Sequence, residues 1–197
     1  MKGTFITLYG INNIGKTTHA KWLVAKLREE GFSAEYIKYP HYDVEPSGPM
    51  INSVLRSEKQ TISEEELQMW YTLNRFQFEP ELHEMLERCD FVVAEDYIGT
   101  GLAWGTAKGA DLEWLKQLNR HLMKEDIAVL LDGERFLQAK EKTHVHETNE
   151  ELMERCRKVH LQLGEEYNWP VVKANQKKEE VQQAIWEIIE SRAKQFI

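Results

Sequence analysis

Cysteine, basic charge and long apolar runs are all scarce in this chain. Only Cys89 and Cys156 carry thiols among 197 residues. They form neither a C-x-x-C pair nor a metal-ligand spacing, which excludes a disulfide scaffold and a cysteine-built zinc site. Both read as reduced, the state expected in the cytoplasm. The 25 lysines and arginines are outnumbered by 33 aspartates and glutamates, for a net charge of -8. A general nucleic-acid surface needs a basic face, so that class is excluded, while a local phosphate site stays open. No apolar run approaches the roughly 18 residues that span a bilayer. The apolar stretch Phe5 to Tyr9 is too short for a signal peptide and leads directly into a glycine loop. Hydrophobic residues make up 42% of the chain, enough to build a full core without disulfides or metals.

Periodicity divides the chain into alternating elements. Strands are predicted at Thr4–Tyr9, Ala34–Tyr39, Phe91–Ala94, Ile127–Leu131 and Pro170–Ala174, each short, apolar and rich in β-branched or aromatic residues. Helical spacing follows at 16–30, 50–56, 111–124, 135–142, 149–166 and 179–194. Ser63-Glu-Glu-Glu66 reads as a capping box opening a long helix towards Arg88, which Pro80 is expected to kink or break. The alternation predicts an α/β fold: a five-stranded parallel sheet with helices on both faces. We read residues 1–197 as a single domain with a short helical lid at about 135–148.

Chemistry enters at Gly10-Ile-Asn-Asn-Ile-Gly15-Lys16-Thr17. A G-x-x-x-x-G-K-S/T run between a strand and a helix is a phosphate loop, and the context makes a chance match improbable. Successive backbone N–H groups from Gly10, Asn13, Ile14, Gly15, Lys16, Thr17 and Thr18 are expected to face the phosphates of ATP. The helix that follows turns its positive end to the same anion. Lys16 is expected to reach the β- and γ-phosphates and Thr17 to hold Mg²⁺. Glu95 and Asp96 close the third strand and are the candidate catalytic and magnesium-binding acids. Two adjacent carboxylates after a buried strand are costly without a cation. Asp132, before Gly133, reads as a turn residue.

An acceptor nucleotide needs a flat apolar slot for its base and a donor to read it. Tyr71 and Arg75 lie at i and i+4 and share a helix face. Tyr39, at a strand end, and Trp104 are candidates to close the slot, with ordinary core packing as the competing reading.

The whole chain resembles thymidylate kinases, nucleoside monophosphate kinases of the P-loop NTPase type. Leu8 to Thr18 is similar to the family's phosphate loop, E-G-x-D-x-x-G-K-S/T-T. Tyr39-Pro-His-Tyr42 with Gly48 and Ile51 is similar to F-P-x-Y or F-P-x-R with a later G-x-x-I. Leu73-Asn-Arg75 matches A-D/N-R, and Glu95 to Trp104, with Ala107-Lys108, is similar to D-R-Y-x-x-S-x-x-A-Y and G-A-K. His144-Val-His-Glu147 resembles a lid sequence D-I-H-E, and Val172 to Asn175 resembles the last strand and adenine loop. The resemblance implies conversion of dTMP to dTDP by ATP and Mg²⁺, in deoxynucleotide biosynthesis. It implies that Arg75 contacts thymine, that Tyr71 stacks on it, and that Trp104 crowds the sugar. By position it places Tyr97 and Thr100 at the acceptor and Asn175 at ATP. It also suggests a homodimer packed through helices.

Departures from the pattern sharpen the question. Asp96 stands where the family's arginine contacts acceptor phosphate, and Asn12 stands where the family's aspartate meets the sugar 3′-hydroxyl. The loop carries no arginine, so catalytic positive charge is expected from the lid, among Arg135, Lys140, Lys142, His144 and His146, with Glu147 beside them. A deoxynucleoside kinase is the alternative, with Glu95 as base on a sugar hydroxyl. A GTPase-like switch would need N-K-x-D late in the chain, and Asn175-Gln-Lys-Lys178 does not supply it.

Overall fold

A computed structural model describes residues 3–57, 60–136 and 150–193. Five strands, β1 (Thr4–Tyr9), β2 (Ala34–Lys38), β3 (Phe91–Glu95), β4 (Ile127–Asp132) and β5 (Val171–Lys173), form one sheet in the order β2-β3-β1-β4-β5. Every neighbouring pair is parallel. The central strand β1 is buried along its whole length, which explains its unbroken apolar run. The register sets Leu8 beside Glu95, Tyr9 beside Leu130 and Lys38 beside Glu95. The phosphate loop, Tyr39 and the acidic pair therefore leave the sheet at one common edge, beyond the carboxyl ends of the strands.

Helix α1 (Lys16–Glu29) buries Ala20, Leu23, Val24 and Leu27. Gly31 follows at φ 91°, and Phe32 N donates to Leu27 O, so the glycine closes the helix in the left-handed conformation foreseen for it. Helix α2 (Ser47–Arg56) begins three residues earlier than its apolar spacing predicts. Pro49 sits in its first turn, where a missing N–H costs nothing.

Helix α3 (Glu64–Arg88) is capped as expected: Ser63 Oγ accepts from Glu66 N at 3.1 Å. It runs continuously through Pro80, so of the kink or break expected there the break does not occur. Pro80 and Phe76 are both exposed, so the carbonyl released at Phe76 meets solvent rather than core. Helix α4 (Ile98–Ala107) follows β3 directly. Helix α5 (Leu112–Leu118) is shorter than predicted; Asn119 bonds back to Leu115 O through both its backbone and side-chain nitrogens and ends the helix. Helices α6 (Glu150–Glu166) and α7 (Lys178–Ala193) complete the layers. Most of the segment read as a lid lies outside the described residues, as does the helix expected at 135–142 beyond Phe136.

Candidate active site

The loop between β1 and α1 is held by residues with unusual backbone angles. Gly10 has φ 141°, and a Cβ there would lie 2.6 Å from Leu131 O, so no larger residue fits. Asn13 (φ 60°) and Gly15 (φ 98°) are left-handed and turn the chain into the helix. Ile14 is fully buried, so its side chain anchors the loop and only its backbone faces the site. Lys16 Nζ donates to Gly10 O and Ile11 O, both at 2.9 Å, and lies 3.6 Å from Asp96 Oδ1. The ammonium is thereby held across the loop's mouth. Phe136 N donates to Asn13 O at 2.7 Å, bringing the segment after β4 over the loop.

The two acids of the third strand have separate surroundings. Glu95 Oε1 accepts from Thr17 Oγ1 at 2.9 Å and pairs with Lys38 Nζ at 3.0 Å; Oε2 accepts from Tyr36 OH at 2.7 Å. Burial pushes its carboxyl up, but the three donors outweigh burial and hold it below the usual carboxylate range. Asp96 has φ 63° and accepts from Thr100 Oγ1 at 2.7 Å. Burial raises its pKa, against the lowering by Lys16 and Thr100. Glu95 thus faces the hydroxyl expected to hold a metal, whereas Asp96 faces the phosphate-loop lysine.

These groups open onto a cavity of about 730 Å³, a volume suited to a nucleotide. Asn12, Asn13, Thr17 and Thr18 line it. Tyr39, Tyr71, Arg75, Tyr97, Thr100 and Trp104 also line it, so every expected acceptor contact is brought to one place. Arg75 is 4% exposed. It donates to Asn119 Oδ1 at 3.0 Å and to Tyr97 O at 3.1 Å, both neutral acceptors, while Nε is buried without a partner among the described residues. A Cβ on Gly101 would lie 2.6 Å from Arg75 Nη2, so that glycine leaves room for the guanidinium. Tyr39 and Tyr97 also pack as core: their ring centroids are 4.9 Å apart, and Tyr97 OH donates to Met123 O. For these two tyrosines the packing reading and the pocket reading both hold.

Asn175 is not among the cavity's lining residues. Its amide accepts from Glu134 N and donates to Glu134 O, so the side chain braces the turn after β4. Arg135 does not line the cavity either. Lys140, Lys142, His144, His146 and Glu147 lie outside the described residues. Asp132 is salt-bridged to Arg157 at 2.7 Å, in keeping with a structural rather than a metal-binding role.

Lys38, Arg56, Gln68 and the Glu64–Lys108 pair line the cavity without having been foreseen. Lys38, Arg56, Gln68 and Glu64 come from a helix or strand whose own pattern says only that the side chain is polar, and Lys108 directly follows α4. Lys38 had one available signal, its place beside Tyr39 at the end of β2.

A family model described as thymidylate kinase matches residues 8–185. A probable thymidylate kinase of Pyrococcus abyssi is 30% identical over 195 residues, covering 94% of this chain and 95% of its own. The human thymidylate kinase is 28% identical over 189 residues, covering 93% and 88% respectively. A solved thymidylate kinase from Candida albicans superposes with a TM-score of 0.81 at 22% identity, covering all of this chain and 94% of its own, and so shares the fold. With its phosphate loop, acidic pair and aromatic slot around one cavity, the chain belongs to the thymidylate kinase family, as an ATP-dependent phosphotransferase acting on dTMP.

Proposed function

We propose that this chain phosphorylates dTMP with a division of labour set by the two ends of its cavity. ATP lies on Gly10 to Thr18, with Lys16 against the transferred phosphoryl group. Thymine lies between Tyr71 and Arg75, and the sugar runs past Asn12 towards Trp104. The observation that carries this reading is the continuity of one cavity from Thr17 and Glu95 to Tyr71 and Arg75.

Thr17 and Glu95 present hard oxygen donors, the chemistry Mg²⁺ prefers, and they already meet at 2.9 Å. They would hold the ion, which neutralises charge on the phosphates when bound. Asp96 orients Lys16. Thr17, Tyr36 and Lys38 hold the Glu95 carboxyl below the usual carboxylate range, which makes it a weak proton acceptor and counts against its serving as base on a sugar hydroxyl.

The test is ATP consumption with dTMP, dUMP and thymidine as acceptors. Turnover is expected with dTMP, and turnover of thymidine alone would sink the reading. In the same assay Glu95→Gln is expected to raise the Mg²⁺ requirement about tenfold or more. Asp96→Asn is expected to lower kcat with an unchanged Mg²⁺ requirement. Equal effects of both on Mg²⁺ dependence would refute the division.

A homodimer through α3 is part of the proposal. Met69, Leu73 and Phe76, at i, i+4 and i+7, are 47%, 39% and 38% exposed and form an apolar stripe on that helix. Light scattering after gel filtration is expected to give twice the chain mass for the native protein and the monomer mass for Leu73→Glu. A native monomer would remove this element.

A further inference from the structure

Charge around the cavity is uneven in a way that locates the acceptor's phosphate; this step rests on the reading of dTMP as acceptor. Five cationic side chains line the cavity, Lys16, Lys38, Arg56, Arg75 and Lys108, against three anionic ones, Glu64, Glu95 and Asp96. The described ion pairs match each acid to one cation: Glu64 to Lys108, Asp96 to Lys16 and Glu95 to Lys38. Two arginines are left over. Arg75 is sealed at the base end by the Asn119 amide and the Tyr97 carbonyl. Arg56 ends α2, is exposed, and has its Nε on the neutral amide oxygen of Asn52 at 2.8 Å.

We infer that the acceptor's phosphate is held from the α2 side by Arg56, with Lys38 as second donor, and not beside residue 96. A phosphate dianion next to Asp96 would meet an anion already paired with Lys16. At Arg56, in the same cavity, it meets a guanidinium whose planar fork suits phosphate oxygens. Lys38 is half exposed, so its ammonium has donors left beyond Glu95. Tyr42, also exposed, lies among these groups: Lys38 and Arg56 draw its hydroxyl pKa down while Asp96 pushes it up, beneath a larger rise from burial. The γ-phosphoryl of ATP, steadied by Lys16, is then taken up by an acceptor phosphate that Arg56 and Lys38 hold.

Calorimetric binding of dTMP and thymidine to the native protein, Arg56→Gln, Arg56→Lys and Lys38→Met tests this. Native protein is expected to bind dTMP at least about tenfold tighter than thymidine. Arg56→Gln is expected to remove most of that difference while thymidine affinity stays within about twofold, and Arg56→Lys to restore part of it. Lys38→Met is expected to narrow the difference less. Arg56 is exposed at a helix end, so its substitution leaves the core intact. A full dTMP preference retained in Arg56→Gln overturns the inference while leaving dTMP as acceptor. A native protein without preference for dTMP over thymidine overturns both.

Discussion

Lys16→Met is expected to lower kcat for dTMP phosphorylation about a thousandfold while changing ATP affinity much less. The asymmetry follows from where Lys16 is held. Gly10 O and Ile11 O grip the ammonium at 2.9 Å, and Asp96 stands 3.6 Å away, so the charge is oriented before any substrate binds. A preorganised charge costs no rearrangement as negative charge moves during transfer, and its benefit concentrates in the transition state. ATP in the ground state is still held by the loop's N–H groups and by the end of α1. Methionine preserves the stem's packing and removes only the charge. Single-turnover rates and ATP binding on the same variant provide the check. Equal losses in both would place Lys16 in ground-state binding, and an unchanged rate would remove it from catalysis.

Arg75→Met is expected to lower kcat/KM for dTMP about a hundredfold without lowering the melting temperature. A buried guanidinium carries a desolvation cost that neutral partners offset poorly, and the buried Nε has no hydrogen-bond partner among the described residues. Burial is accordingly the main influence drawing its pKa down. Both acceptors that Arg75 serves keep a second donor: Thr72 Oγ1 for Asn119 Oδ1 and Gly101 N for Tyr97 O. Methionine fills the stem's volume, so neither a large cavity nor an orphaned carbonyl results. Thermal unfolding and acceptor kinetics on one preparation separate the outcomes. A large drop in melting temperature with unaltered acceptor preference would make Arg75 a structural residue. The opposite pattern would mark stability given up for recognition.

The phosphate loop and its strand–turn–helix setting were legible in the sequence alone. The phosphate loop is local: Gly10, Gly15, Lys16 and Thr17 act within one strand–turn–helix, so spacing along the chain is also spacing in space. The parallel sheet followed as directly, because strands buried on both faces must read as unbroken apolar runs, as Thr4–Tyr9 and Phe91–Glu95 do. The pairing of Tyr71 with Arg75 came from helical geometry for the same reason.

Elsewhere tertiary structure decided. Pro80 signals a break, yet α3 passes through it because that face is exposed, and exposure depends on what packs against the helix. Glu95 and Asp96 are neighbours in sequence with one shared expectation. The left-handed backbone at Asp96 sends their carboxylates to different partners, Thr17 and Lys16. Arg56 carries no local mark at all. Its importance appears only when Glu64, Glu95 and Asp96 are each seen matched to another cation across separate elements. Charge pairing is a property of distances between distant parts of the chain, which is why the phosphate loop is legible in the sequence and the seat of the acceptor's phosphate is not.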